Sequence, residues 1–140
     1  MSVAQSWQLS HTAQFSARWS ASGTVITVNG ELDAANADQL AAYVHRSIRR
    51  SRRVILDLRG LEFIGTAGFS ALHRINVVCS AAQASWAMVT SAAVSRLLRV
   101  CDPDATLPVT TPADEPLLKS ATWTASAAQR PLLQLVPQSR

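Results

Sequence analysis

The stretch Val54-Ile55-Leu56-Asp57-Leu58-Arg59-Gly60-Leu61-Glu62-Phe63-Ile64-Gly65-Thr66-Ala67-Gly68-Phe69 decides the architecture. Its first five residues form a nearly continuous apolar run, too short for a helix. Such a run is the pattern of a central strand covered on both faces. The link Arg59–Ile64 then leads to two glycines flanking Thr66 and Ala67, where a helix opens. Phe69, Leu72, Ile75 and Cys79 recur at helical spacing and give that helix an inward face, with Val78 beside them.

Upstream, Phe15, Ala17 and Trp19 alternate with Ser16, Arg18 and Ser20. Ala21-Ser22-Gly23 is a turn, and Thr24–Asn29 is rich in β-branched residues. Two strands across a short glycine loop predict an antiparallel hairpin. Gly30-Glu31-Leu32-Asp33 follows, then a helix over 36–50 with Leu40, Val44 and Ile48 on one face. Downstream, Trp86–Thr90 reads as a strand, and Val94, Leu97, Leu98 and Cys101 mark a helix that stops before Pro103. A weaker strand is expected around Leu107–Val109. Pro112-Ala113-Asp114-Glu115-Pro116 resembles a helix start, with Leu117 and Leu118 in the helix that follows. This order predicts an α/β domain with about four α-helices and a small mixed, mainly parallel sheet opened by an N-terminal hairpin. The expected organisation is a loose arm over 1–14, the domain over 15–122 and a tail over 123–140.

Bulk properties suit that reading. Of 140 residues, 48% are hydrophobic and 16% charged, enough apolar material for one core. No apolar run approaches the roughly 20 residues of a membrane span, and the first ten residues lack the basic-then-apolar pattern of an export signal. A cytoplasmic location without membrane insertion is the expectation. The net charge is +4, and its basic residues are almost all arginine, with the densest cluster between His45 and Arg53. No aromatic residues interleave with them as a nucleic-acid stacking surface needs. They read first as cations closing a helix C-terminus, next as a surface for an acidic protein, and last as a nucleic-acid site. Cys79 and Cys101 are too few for a disulfide framework and read as reduced core residues. His11, His45 and His73 form no metal-ligand pattern, and no nucleophile elbow, Walker loop or dinucleotide fingerprint occurs. The pattern points to a binding module and not to an enzyme, with no cofactor.

Thr66 stands where the second helix begins. A threonine there is explained by N-capping alone. The same position also suits a phosphorylation site: a phosphate on Thr66 meets unpaired N–H groups and the positive end of the helix dipole. It adds about −1.5 to −2 charges without unfolding the domain.

Taken together, Gly30-Glu31-Leu32-Asp33, Val54–Leu58 and Phe63-Ile64-Gly65-Thr66-Ala67-Gly68 resemble the STAS domain of bacterial anti-sigma-factor antagonists. In that family the first motif commonly reads Gly-Glu-Leu-Asp and the second roughly Phe-Met/Ile-Asp-Ser-Ser/Thr-Gly-Leu. Its first serine is phosphorylated by a kinase-type anti-sigma factor. The resemblance places Thr66 at that position, matches Gly68 to the glycine, and matches Asp33 and Asp57 to acidic positions that shape the binding loop. The family aspartate is Gly65 here, and the second hydroxyl residue is Ala67. The resemblance implies an anti-sigma-factor antagonist whose partner is an anti-sigma factor or serine/threonine-kinase-like protein. The expected partner surface is Glu31, Asp33, Asp57, Phe63, Ile64, Gly65, Thr66, Gly68 and Phe69, with no direct contact to nucleic acid. A second reading is a non-phosphorylated, STAS-like accessory subunit of a membrane transporter or lipid-transfer ATPase.

Overall fold

A computed structural model describes the backbone of residues 4–9 and 12–119, and the side chains of 12–118. Five strands lie in chain order: β1 (Ala4–Leu9), β2 (Ala13–Ser20), β3 (Gly23–Leu32), β4 (Arg53–Ile64) and β5 (Ser85–Val89). The β1–β2 and β2–β3 pairs are antiparallel, and β3–β4 and β4–β5 are parallel. The helices are α1 (Ala37–Ile48), α2 (Thr66–Ala81), α3 (Ala92–Cys101) and the short α4 (Pro116–Lys119), preceded by a 3₁₀ turn at Pro112–Asp114. The mixed sheet, the opening hairpin and the four helices are those expected.

Parallel strands need crossovers, and crossovers are right-handed. Because β3, β4 and β5 advance in one direction across the sheet, α1 and α2 fall on the same face and pack against each other. Under them Phe15, Ile26, Val28, Leu32, Leu40, Val44, Val54, Leu56, Leu58, Leu72, Ile75 and Met88 form the main core. Strand side chains alternate between faces, so Ile55 and Asp57 of β4 point the other way. There Val25, Ile55 and Val89 meet Leu117 of α4. Glu115, 2% exposed, anchors that helix through an ion pair to Arg53 and an acceptor for the Leu117 N–H. Both faces of β4 are thus covered, which is why Val54–Leu58 carries no alternation.

The structure departs from expectation in three places. Ala4–Leu9, expected as part of a loose arm, pairs along β2. An edge strand is held by backbone bonds to one neighbour, so its composition need not alternate. Arg59–Ile64, expected as a link, extends β4 to twelve residues. Its ladder with β3 continues through register shifts after Thr27 and Gly30. Gly60 makes this possible: a Cβ there would sit 1.7 Å from the Asn29 Oδ1. The weak strand at Leu107–Val109 reduces to one bridge, Val109 with Met88, because Pro108 has no N–H to donate. Residues 123–140 and His11 lie outside the described residues.

Cys79 is fully buried and Cys101 half-buried, and both are free thiols. Burial pushes the Cys79 thiol up to about 11, so it stays protonated and unreactive at neutral pH. Alkylation of the folded protein at pH 8 is expected to spare Cys79 and to reach it only on unfolding; peptide mapping of the modified cysteines checks this. Leu56 has no exposed surface, and Leu56→Ala is expected to cost about 2–5 kcal/mol. Val100, 80% exposed, should tolerate serine within ~0.5 kcal/mol. Urea midpoints of the two variants at unchanged slope measure the contrast.

Candidate functional site

Two strands that pair in parallel end at the same edge of the sheet. In β3 and β4 the last pairs are Glu31 with Phe63 and Leu32 with Ile64. The chain leaves both strands at that edge, in open α/β sheets the usual place for binding loops. Directly past the last pair, the Gly65 N–H donates to the Leu32 carbonyl at 3.0 Å. This bond ties the Gly30–Asp33 turn to the loop that opens α2.

The first turn is shaped by Gly30 and Asn36. Gly30 has φ +101, a left-handed value, and a Cβ there would meet the Thr12 carbonyl oxygen at 2.4 Å. The turn therefore presses against the start of β2, and the Glu31 N–H donates to the same Thr12 carbonyl at 3.0 Å. Asn36, 1% exposed, holds the rest. Its Nδ2 donates to the Glu31 carbonyl at 2.9 Å and to Thr12 Oγ1 at 3.0 Å, while its Oδ1 accepts from the Asp33 N–H at 2.9 Å. Asp33 accepts in turn from the Ala35 N–H at 2.9 Å, a local turn that orders the entry to α1.

The second loop begins at Phe63, 49% exposed, beside buried Ile64. Gly65 occupies the cap position of α2 in an extended conformation, and its carbonyl accepts from the N–H groups of Gly68 and Phe69. Thr66 is therefore the first helical residue and not the cap, a correction of one position. Its side chain is exposed, and the N–H groups of Thr66 and Ala67 have no partner among the described residues. No acidic residue occupies the first turn of α2, so the positive end of its dipole is uncompensated. Gly68 is buried against the strand ends: a Cβ there would meet Ile64 Cγ1 at 2.5 Å and Leu32 Cδ2 at 3.1 Å. Phe69 is half-buried against the core.

The structure thus gathers Glu31, Asp33, Phe63, Ile64, Gly65, Thr66, Gly68 and Phe69 at one end of the sheet. Asp57 is not among them. It sits seven residues before Ile64, roughly 20 Å back along the strand, buried on the α4 side. There its carboxylate accepts from Arg59 Nε and Nη2, each at 2.9 Å. Its acidity serves an ion pair: the hydrogen bond that the Arg59 guanidinium donates to Asp57 raises that guanidinium above its ordinary value. Sequence reading missed Asn36 and Thr12. A buried asparagine just before a helix reads as a cap, and nothing local announces that it bonds Thr12, 24 residues upstream.

Residues 14–111 match the sequence model of the STAS domain. The chain belongs to the STAS domain family. Two solved structures are similar to it in fold. An anti-sigma factor antagonist from Mycobacterium paratuberculosis superposes with a TM-score of 0.55 at 19% identity, over 89% of this chain and 95% of that one. The anti-sigma factor antagonist SpoIIAA in its unphosphorylated form gives 0.56 at 14% identity, over 89% and 97%. In sequence, a Mycobacterium tuberculosis protein named osmosensory protein A is 41% identical over 71 residues, which are 51% of this chain. Those residues span 45% of that relative's length.

This STAS domain treats its two loop glycines differently. Gly65 has no positive φ, and a Cβ there would meet only Phe63 ring atoms at 3.6 and 3.7 Å, an ordinary contact. Gly65→Ala is expected to change stability by less than ~0.5 kcal/mol, whereas Gly68→Ala should cost about 1–3 kcal/mol through overpacking. Thermal or urea unfolding of the two variants side by side decides it.

Proposed function

We propose that this STAS domain is an anti-sigma-factor antagonist whose binding surface is the Glu31–Asp33 turn together with the Phe63–Phe69 loop. The proposed partner is a kinase-type anti-sigma factor, and phosphorylation of Thr66 is the switch that ends the complex. The observation that carries this reading is the exposed Thr66 hydroxyl on the first turn of α2, one residue from the Gly65–Leu32 bond that joins the two loops.

The physics of the switch is local. The unmodified surface offers Phe63 as an exposed aromatic anchor, with Glu31 directly across the ladder from it. Aromatic side chains of this kind dominate binding energy at protein interfaces. A phosphate on Thr66 finds the open N–H groups of Thr66 and Ala67 and the helix dipole, so the domain tolerates it. The same phosphate puts up to two negative charges and a bulky group beside Phe63, where a docked protein has to exclude water. Binding is lost while the fold is kept.

In this role the protein is a kinase substrate and not a catalyst. It acts in the cytoplasm by binding protein, without touching nucleic acid itself. The name of the 41%-identical relative, osmosensory protein A, favours an osmotic input to the switch.

One observation favours a second reading. Gly65 and Ala67 leave the loop without the family's carboxylate and second hydroxyl, which suits a permanent docking module, such as an accessory subunit of a membrane transporter or lipid-transfer ATPase. A single series separates the readings. With a candidate kinase-type anti-sigma factor and ATP, phosphate is expected on Thr66 by mass spectrometry. Thr66→Glu should weaken partner binding at least tenfold, and Gly65→Asp, for which there is room, should raise the phosphorylation rate. No phosphate on Thr66, together with undiminished binding by Thr66→Glu, would rule out the switch and leave the docking reading.

A further inference from the structure

Both α1 and α2 run antiparallel to the central strands, so their C-termini meet at the end of the sheet opposite Thr66. Arg46, Arg49, Arg50 and Arg52 are all exposed there. With β4 spanning twelve residues from Arg53 to Ile64, this pole lies on the order of 35 Å from the candidate site.

Closing two helices does not account for so much charge. Each helix C-terminus carries about half a negative charge, roughly one in all, against four guanidinium groups. Nor do carboxylates of the described residues balance Arg49, Arg50 and Arg52. The ion pairs of the described residues join Arg53 to Glu115, Arg59 to Asp57 and Arg74 to Asp38, leaving Arg49, Arg50 and Arg52 outside them. Two of these three are held in place without being neutralised. The Arg50 guanidinium lies 4.0 Å from the centroid of the Trp19 ring, and Arg52 donates to the Ala82 carbonyl at the end of α2. Arg46 is similarly placed over Tyr43 at 5.5 Å. A fixed guanidinium loses little further freedom when it binds, and its planar fork matches a carboxylate.

We propose that this arginine pole is a second docking surface, for a carboxylate-rich segment of a protein partner, which it binds independently of the Thr66 loop. The alternatives fit the surface less well. A bilayer contact wants apolar side chains beside the cations, but among the described residues the exposed large ones are Phe63, Val77, Val100 and Val109, none of them in the 46–53 segment. Single-stranded nucleic acid wants open aromatic faces, and the Trp19 ring is covered by Arg50.

The test uses the full chain and a fluorescein-labelled oligo-glutamate peptide, read by fluorescence anisotropy at low salt and at ~0.15 M. Wild type is expected to bind the peptide, more weakly as salt rises. The triple variant Arg49→Gln/Arg50→Gln/Arg52→Gln should lose about tenfold or more in affinity, while Thr66→Glu binds as wild type. If the triple variant does not fold, Arg49→Gln alone, whose side chain has no partner among the described residues, should lose about twofold. Unchanged binding by the folded variants overturns the proposal. So does tighter binding of duplex DNA or phosphatidylglycerol vesicles than of the peptide, when the same substitutions abolish it.

Discussion

The parallel ladder between β3 and β4 is the constraint on which everything else in this domain rests. Val54, Ile55, Leu56 and Leu58 are all fully buried, and each such side chain is worth about 1.5–3 kcal/mol of transfer from water. That burial holds β4 at the centre, with β3 on one side and β5 on the other. The ladder then fixes the functional end by register alone. Once Ile26 lies beside Leu56, the two bulges bring Leu32 beside Ile64. The Gly65–Leu32 bond and the Gly68 contact are the next steps of the same alignment. The loops of the candidate surface are short extensions of a rigid sheet, and an interface built on them starts with little conformational entropy to lose.

How much of this was legible depends on the range of the interaction that sets each feature. The apolar run at Val54–Leu58 and the helical spacing of Leu40, Val44 and Ile48 are local patterns, and the sheet and helices follow from them. The second half of β4 was hidden because Arg59, Gly60 and Glu62 are not strand-forming residues. They are tolerated where a bulge opens the ladder and β3 supplies the partner. β1 was hidden for a related reason, since an edge strand answers to its neighbour's backbone more than to its own pattern. The candidate loops could be read because their residue order matches a family motif, although the motif misled at Asp57. An acid in a buried strand with an arginine two residues on is bonded by that arginine; two residues apart in a strand means the same face, and that spacing was the available clue.

Asn36 marks the limit of sequence reading. Its side chain satisfies the Asp33 N–H and the Glu31 carbonyl, and it also bonds Thr12 at the far side of the hairpin. Buried polar groups left without partners cost about 1–3 kcal/mol each, so this one residue stabilises the turn by making both its donor and its acceptor necessary. Local preference explains an asparagine before a helix equally well. Only the tertiary placement of Thr12 distinguishes a cap from a clamp.

The direction of the helices relative to the strands also organises the electrostatics. In a sheet of this topology the helix N-termini crowd the end where the strands finish, and the C-termini crowd the other. A phosphate would be favoured at the first end, because only there does the backbone favour an anion. Cations belong at the second, where carbonyl ends accept them. Glu31 and Glu62 are exposed toward the first end, so a phosphate on Thr66 adds negative charge where negative charge already stands, and a partner meeting that surface would feel the sum. The Arg46–Arg52 pole, several Debye lengths away at physiological salt, would feel almost none of it. Two surfaces separated in this way can be loaded and released independently, which a single small domain otherwise has little room to achieve.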